Sequence, residues 1–380
     1  MDKSETFYTK MKQLQGIPSN IKEVIIGKIT HDKKWIFQSK SDYIIVSDNI
    51  VHSGYAAILS DKSLLNSSTP LLHSVPEINI LKDGDIVAIY PDGKINVVYE
   101  INSFHNSLFL TERCNANCIM CPQPPNNKAN DNYEQVMKIL SLIDKGTKHL
   151  GITGGEPTLL GDKLFQIIET VKLKFPKASL TLLTNAIKLS DFDYAKSFAI
   201  INHPDLLIDV PLYSETDTEH NKIIRANGFN KTVQGIYNLA KLRQKVGIRI
   251  VVHKLNYKRL PQIAEFIYRN FPFVVHIAFM QMEPTGYAKE NIENLWIDPF
   301  DYNMELEKAI NILCNRDLNV SIYNSQLCIL PETLKSFAKQ SISTWKNIYL
   351  PLCDCCKSKS SCPGFFQSSL NIHSKYLKPL

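Results

Sequence analysis

A chain of 380 residues is long enough for two or three domains sharing a substantial core. At 44% hydrophobic and 21% charged it has a globular composition, and no apolar run reaches the roughly 18 residues that span a bilayer. Its net charge, 43 − 37 = +6, is scattered without a run of five basic residues, which argues against a nucleic-acid partner. Met1 to Gln15 is polar and lacks an apolar secretory core, so a cytoplasmic protein with no membrane association is expected.

In chain order, residues 1–105 read as an N-terminal β-rich domain of barrel type. Val24–Ile29, Trp35–Gln38 and Tyr43–Val46 have the β-branched and aromatic character of strands. Ile86–Tyr90, then Pro91-Asp92-Gly93-Lys94, then Ile95–Ile101 predicts a hairpin across an Asp-Gly turn. From 106 to 325 short apolar runs alternate with helical periods. The strands expected are Leu108–Leu110, Lys148–Thr153, Leu180–Thr184, Leu206–Pro211, Ile248–Val252 and Val274–Met280. The helices expected are Tyr133–Asp144, Asp162–Lys174, Phe192–Ala199, Lys231–Val246 and Leu260–Asn270. Such alternation predicts an α/β fold, a closed or partial (β/α)6 barrel with its function at the C-terminal ends of the strands. Residues 326–380 read as a helical stretch followed by a cysteine-rich tail.

Nine cysteines are many for a reducing compartment, so clustered thiols are read as metal ligands before disulfides. Three stand between 114 and 121, four between 353 and 362, and Cys314 and Cys328 lie alone. Cys314 falls on the apolar period of Leu306, Ile310 and Leu313 and reads as a buried small residue.

The run Cys114-Asn-Ala-Asn-Cys118-Ile-Met-Cys121 follows the first barrel strand. Four thiolates would complete a [4Fe–4S] cube, whereas three leave one iron open. An open iron can chelate the amino and carboxylate groups of S-adenosylmethionine (SAM), and an electron from the cluster then yields a 5′-deoxyadenosyl radical. A zinc site is the other reading, though such sites usually supply paired Cys-x-x-Cys units or histidines.

The spacing resembles that of the radical SAM superfamily, and other segments add to the resemblance. Gly154-Gly155-Glu156-Pro157 is similar to the family's SAM-amino motif, with Glu156 as acceptor for an ammonium. Thr184-Asn185 resembles an element in which glycine commonly stands where this chain has Ala186. Ser214 would touch the SAM ribose and Arg225 its carboxylate, which suits a planar guanidinium. His220 is read as a surface helix residue. Gln281-Met282-Glu283-Pro-Thr-Gly286 loosely resembles the last barrel element, with Met282 and Glu283 as alternative substrate-facing walls. In the tail, Cys328, Cys353, Cys356 and Cys362 are the expected ligands of a second, auxiliary [4Fe–4S] cluster, with Cys355 spare and zinc as the alternative.

Four strings narrow the resemblance to the HxsC-type radical SAM maturases of the His-Xaa-Ser peptide system. They are Thr111–Pro125, Ile152–Thr158, Gln340–Lys346 and Cys362-Pro-Gly-Phe-Phe366. That resemblance implies a ribosomally made precursor peptide with His-Xaa-Ser repeats as substrate. It also implies a second radical SAM protein, a small companion protein and an electron donor such as flavodoxin or ferredoxin. The radical would abstract a hydrogen atom from a substrate residue. Two alternatives stand beside it. One is a radical SAM enzyme acting on a small molecule or nucleotide, as in molybdopterin biosynthesis. The other is a non-catalytic Fe–S or zinc binding module, against which the three cysteines and Gly154-Gly155-Glu156 argue.

Overall fold

The computed structural model describes residues 13–31, 39–49, 52–64, 67–340 and 348–380. Trp35–Gln38 and all but the first residue of Gln340–Lys346 lie outside these. The chain divides into two compact units. One comprises residues 1–109, 132–151 and 169–178; the other comprises 110–131, 152–168 and 179–380.

In the first unit, eight described strands make one sheet: β1 (Gln13–Gln15), β2 (Ile17–Ser19), β3 (Ile25–Thr30), β4 (Tyr43–Val46), β5 (Ala57–Leu59), β6 (Leu71–His73), β7 (Ile86–Ile89) and β8 (Lys94–Tyr99). Their order is β1-β8-β7-β3-β4-β5-β6-β2. The two edge strands, β1 and β2, are separated in the chain by Gly16 alone, so the sheet's edges meet there and the barrel-type expectation has a physical basis. The hairpin is present: β7 and β8 pair antiparallel, Ile89 opposite Ile95, across the Asp92-Gly93 turn. Ile44, Ile58, Leu59, Leu71, Leu72, Ile86 and Ile89 are fully shielded from solvent and form this unit's core. β5 and β6 went unforeseen because three-residue strands leave no readable alternation.

The second sheet runs β16-β15-β14-β13-β12-β11-β10-β9 among the described residues. Its strands and helices alternate: β9 (Asn106–Phe109), α1 (Tyr133–Leu142), β10 (His149–Thr153), α2 (Asp162–Lys174), β11 (Ser179–Leu183), α3 (Phe192–Ile201), β12 (Leu206–Pro211), α4 (Asp217–Ile224), α5 (Phe229–Lys241), β13 (Lys245–Val252), α6 (Leu260–Asn270), β14 (His276–Gln281), α7 (Tyr287–Glu290), α8 (Ile292–Leu295), α9 (Asn303–Cys314), β15 (Val320–Tyr323), α10 (Glu332–Lys335) and β16 (Ala338–Lys339). From β11 to β16 every neighbouring pair is parallel. The expected α/β class is therefore present, as an open rather than closed barrel, and β15 and β16 extend it beyond six units.

The elements follow local chemistry. Asp191 caps α3 by accepting from the Asp193 and Tyr194 amides. Pro261 stands in the first turn of α6, where its missing N–H costs nothing. α2 begins on Asp162 and carries Lys172 and Lys174 in its last turn, each complementing the helix dipole. The helical stretch expected from 326 shrinks to the single turn of α10, because Pro331 admits a helix only beyond itself and β16 follows at once.

Candidate active site

The three clustered cysteines occupy the loop after β9, and hydrogen bonds hold that loop at several points. At its start Arg113 grips Asp131 bidentately, Nε–Oδ1 3.0 Å and Nη2–Oδ2 2.6 Å, while Thr111 Oγ1 donates to Asp131 Oδ1 at 2.7 Å. These bonds outweigh burial and hold the Asp131 carboxyl below its ordinary range. Further along, the Asn117 and Ile119 amides donate to the Ile224 and Ile223 carbonyls at the end of α4, both at 2.9 Å. The Tyr287 amide of α7 donates to the Cys121 carbonyl, also at 2.9 Å. The loop is fixed by neighbours far away in sequence, none of which a spacing rule identifies.

Around the thiols lies an apolar cluster: Ala116, Met120, Tyr213, Ile223, Ile224 and Met282 are buried, with Cys114 and Cys118 packed against them. Burial pushes the Cys114 thiol up to about 12 and Cys118 higher still. Each of these two thiols also feels Cys121 electrostatically, so the three converge. Two desolvated thiols, Cys114 and Cys118, beside Cys121 have a chemistry that fits a metal cluster, whose positive charge would stabilise their thiolates.

The Gly154–Pro157 segment is pressed against the front of this loop. Gly155 N–H donates to the Thr111 carbonyl at 2.7 Å and Glu156 N–H to the Arg113 carbonyl at 2.8 Å. A Cβ on Gly155 would stand 2.3 Å from the Arg113 carbonyl oxygen. The glycine here admits the cysteine loop's own backbone rather than a ligand. Gly155→Ala is accordingly expected to cost about 1–3 kcal/mol or more from overpacking. It should also depress iron uptake by the reconstituted protein, measured as bound iron per chain alongside a thermal melt.

Glu156 is fully shielded from solvent. Its Oε1 accepts from Thr158 N at 3.1 Å, Thr158 Oγ1 at 2.6 Å and Thr184 Oγ1 at 2.6 Å, and its Oε2 from Asn185 N at 2.7 Å. The carboxylate that the sequence offers to an ammonium is thus engaged with β11's end. Pro157 starts the following 3-10 turn and is buried. Asn185 turns its amide to the cysteine loop, Nδ2 lying 2.6 Å from Asn115 Oδ1 and 4.0 Å from Cys114 Sγ. Ala186 sits at φ +59, the left-handed region that explains why glycine is common there.

Ser214 is buried and bonds locally, its Oγ donating to Glu215 Oε2 at 3.1 Å and accepting from Thr216 N at 3.3 Å. Arg225 ends α4, one residue beyond the carbonyl that holds Asn117. It is exposed, and its guanidinium makes no hydrogen bond or ion pair among the described residues. His220 is not the surface residue expected. It is buried, stacks on Tyr213 with centroids 5.7 Å apart, and accepts the Tyr213 amide at Nδ1. Burial lowers it to about 4, so it is neutral at physiological pH. Its polar neighbours Glu219 and Asn221 suggest an exposed face, but Tyr213 and Phe229 close over it. Met282 belongs to the apolar cluster, while Glu283 accepts from Ser368 Oγ at 3.4 Å.

The tail cysteines form a second assembly. Cys328, Cys353, Cys356 and Cys362 line one small pocket with Gln326, Tyr349 and Leu380. Cys355 is exposed and stands outside that lining. Tyr349 Oη donates to the Cys362 carbonyl at 2.9 Å, and the Leu380 amide donates to Cys356 Sγ at 3.3 Å. Cys314, at the end of α9, is partly buried and remote in sequence from both groups.

The sequence model of the radical SAM superfamily matches residues 108–267, the stretch that carries this loop and its supports. Residues 108–267 thus resemble a radical SAM domain. Radical SAM proteins use a [4Fe–4S] cluster and SAM. Among curated relatives, the GTP 3′,8-cyclase of Petrotoga mobilis is 28% identical over 189 residues, 47% of this chain and 55% of that one. The GTP 3′,8-cyclase of Aliarcobacter butzleri is 31% identical over 193 residues, 49% of this chain and 57% of that one. The chain thus spans a little over half the length of the curated relatives it matches. Among solved structures, native anSMEcpe with bound AdoMet and a Cp18Cys peptide superposes with a TM-score of 0.52 at 16% identity. That match covers 72% of this chain and 91% of anSMEcpe, and it supports the radical SAM fold.

Proposed function

We propose that this protein is a radical SAM enzyme. In this reading Cys114, Cys118 and Cys121 hold the open-iron cluster. Gly154, Gly155, Glu156, Pro157, Asn185, Ser214 and Arg225 form or brace the SAM site. Cys328, Cys353, Cys356 and Cys362 hold a second cluster. Bound there, the first cluster would supply the electron that breaks the SAM sulfonium bond. The observation that carries the reading is the convergence of Cys114, Cys118 and Cys121, the first two desolvated, on a loop seated against the end of α4, where Arg225 is exposed. Arg225 offers SAM's carboxylate a bidentate partner, while the Asn185 and Glu156 framework keeps the loop in place.

For the substrate, the relatives named GTP 3′,8-cyclase favour a nucleotide or other small molecule, which the sequence reading had placed second. The peptide reading rests on the strings Thr111–Pro125 and Cys362–Phe366, which resemble those of peptide maturases. Anaerobic reconstitution, dithionite, SAM and either GTP or a His-Xaa-Ser repeat peptide would decide between them. 5′-Deoxyadenosine formation supports the radical reading. A mass change in GTP or in the peptide then names the class, and no SAM cleavage at all would return the chain to a binding module.

The tail has its own expected outcome. Cys356→Ala should lower bound iron while leaving the first cluster's absorbance, because the second cluster then loses one of its four thiolates. Cys355→Ala, outside the pocket, should leave iron unchanged. Lost zinc with unchanged iron in Cys356→Ala would replace the cluster with a zinc site.

A further inference from the structure

Strand alternation divides β12 between two faces. Leu206, Ile208 and Val210 are buried on one, and Leu207, Asp209 and Pro211 are only partly buried on the other. Parallel register extends the second face. Asp209 pairs with Gly247, and Gly247 with His276; Pro211 pairs with Arg249, Arg249 with Ala278, and Ala278 with Ser321; Met280 pairs with Tyr323. One face of four adjacent strands therefore presents Asp209, Arg249, His276, Ser321 and Tyr323 around the small residues Gly247 and Ala278.

Asp209 and Arg249 share this face without a hydrogen bond between them. A Cβ on Gly247 would stand 2.1 Å from Asp209 Oδ1, so the carboxylate leans across β13 toward β14. That oxygen is sealed from solvent and has no hydrogen-bond partner. The only hydrogen bond of the Arg249 guanidinium among the described residues is from Nη2 to the Met280 sulfur at 3.3 Å, a weak acceptor. His276 Nε2 is matched with Ser321 Oγ at 3.0 Å. Asp209 feels Arg249 and His276 electrostatically, but burial outweighs both and raises its carboxyl. An isolated, sealed carboxylate oxygen is costly, and a native protein that keeps one calls for a reason.

The same face leads to the cysteine loop. Val251, two residues beyond Arg249, packs in the apolar cluster with Cys114 and Cys118, and buried Tyr213 feels both Cys118 and Arg249. One carboxylate beside one guanidinium gives nearly no net charge. That pairing is poor for a triphosphate and complementary to a group with a donor next to an acceptor.

Resting on the radical SAM reading above, we propose that Asp209 and Arg249 bind the reacting part of the substrate through an amide-type edge. In this arrangement an N–H of the substrate donates to the Asp209 carboxylate, which is only partly buried, and Arg249 donates to a C=O on the same side. Two sources offer that edge: the lactam of a guanine base, and the N–H and C=O of one residue in an extended peptide.

The test is isothermal titration of the full, anaerobically reconstituted chain with SAM present, using GTP and a synthetic His-Xaa-Ser repeat peptide as separate probes. Wild type should bind one of them, and Asp209→Asn, which turns an amide N–H2 toward the substrate's own donor, should bind it at least about tenfold more weakly. Binding of GTP assigns the guanine source and binding of the peptide the other. A thermal melt guards against misfolding: Asp209→Asn should melt at or above wild type, because it removes an unpartnered carboxylate. Wild type binding neither probe, or Asp209→Asn binding as wild type does, would overturn the proposal. 5′-Deoxyadenosine without binding sinks this site and leaves the radical reading intact, and binding without 5′-deoxyadenosine does the reverse.

Discussion

Cys118→Ala should leave the reconstituted protein with about four irons per chain instead of about eight, the sum for two cubes, and with no detectable 5′-deoxyadenosine. Its thiol is buried and more strongly desolvated than that of Cys114. Its neighbours Ala116, Met120, Ile223 and Met282 exclude water from it. Among the described residues no cationic side chain pairs with it, and a metal cluster would stabilise its thiolate. Removing it leaves two thiolates for a cube that needs three, and neither side of the loop has a substitute. Asn115 is committed to Asn185, and Asp131 is committed to Arg113. Alanine itself fits an apolar pocket, so a melt within a few degrees of the iron-free wild type is expected. Cys314→Ala serves as the control and should change neither iron nor turnover, since Cys314 stands at the end of α9, outside both cysteine groups. Retained SAM cleavage in Cys118→Ala would refute the ligand assignment outright.

Much of this arrangement was legible because it depends on short spacings. Cys-x3-Cys-x2-Cys after a strand, Gly-Gly-Glu-Pro after the next and the tail cysteines are patterns of neighbours in sequence. Cys328, Cys353, Cys356 and Cys362 line the tail pocket, and Cys355 does not. What escaped was long-range. The clasp of Arg113 on Asp131, the seating of the loop on the end of α4, and the inward turn of His220 depend on residues that meet only in three dimensions. His220 shows why: its helix is eight residues long, and on so short a span the polar neighbours Glu219 and Asn221 suggest an exposed face. Only the packing of Tyr213 and Phe229 reverses that. The inner strand face escaped for a similar reason. Asp209, Arg249 and His276 are separated by tens of residues, and parallel register alone brings them onto one face.

Glu156→Ala should be the most damaging single change to stability in the second unit. The residue accepts four hydrogen bonds while fully shielded, and its truncation strands the Thr158 and Thr184 hydroxyls and the Asn185 and Thr158 amides together. Removing one partner of such a buried network costs about 3–5 kcal/mol, since the groups left behind are desolvated without compensation. At about 2–4 °C per kcal/mol for a domain of this scale, the melt should fall by roughly 6–15 °C. Glu156→Gln separates geometry from charge. Its remaining oxygen can keep the three bonds made by Oε1, but its N–H2 then opposes the Asn185 N–H, so a smaller loss of about 1–3 kcal/mol is expected. The two variants also distinguish a positioning role from direct contact with SAM. If Glu156 acts by holding Asn185 and the cysteine loop, Gln should retain a near-native KM for SAM once folded, with a lowered melt as its main defect. A contact with the SAM ammonium would instead raise KM by tenfold or more in Gln, because a charged hydrogen bond of about 1.5–3 kcal/mol would be lost. The full engagement of both carboxylate oxygens favours the first outcome, and SAM titration of Glu156→Gln at constant reductant measures it directly.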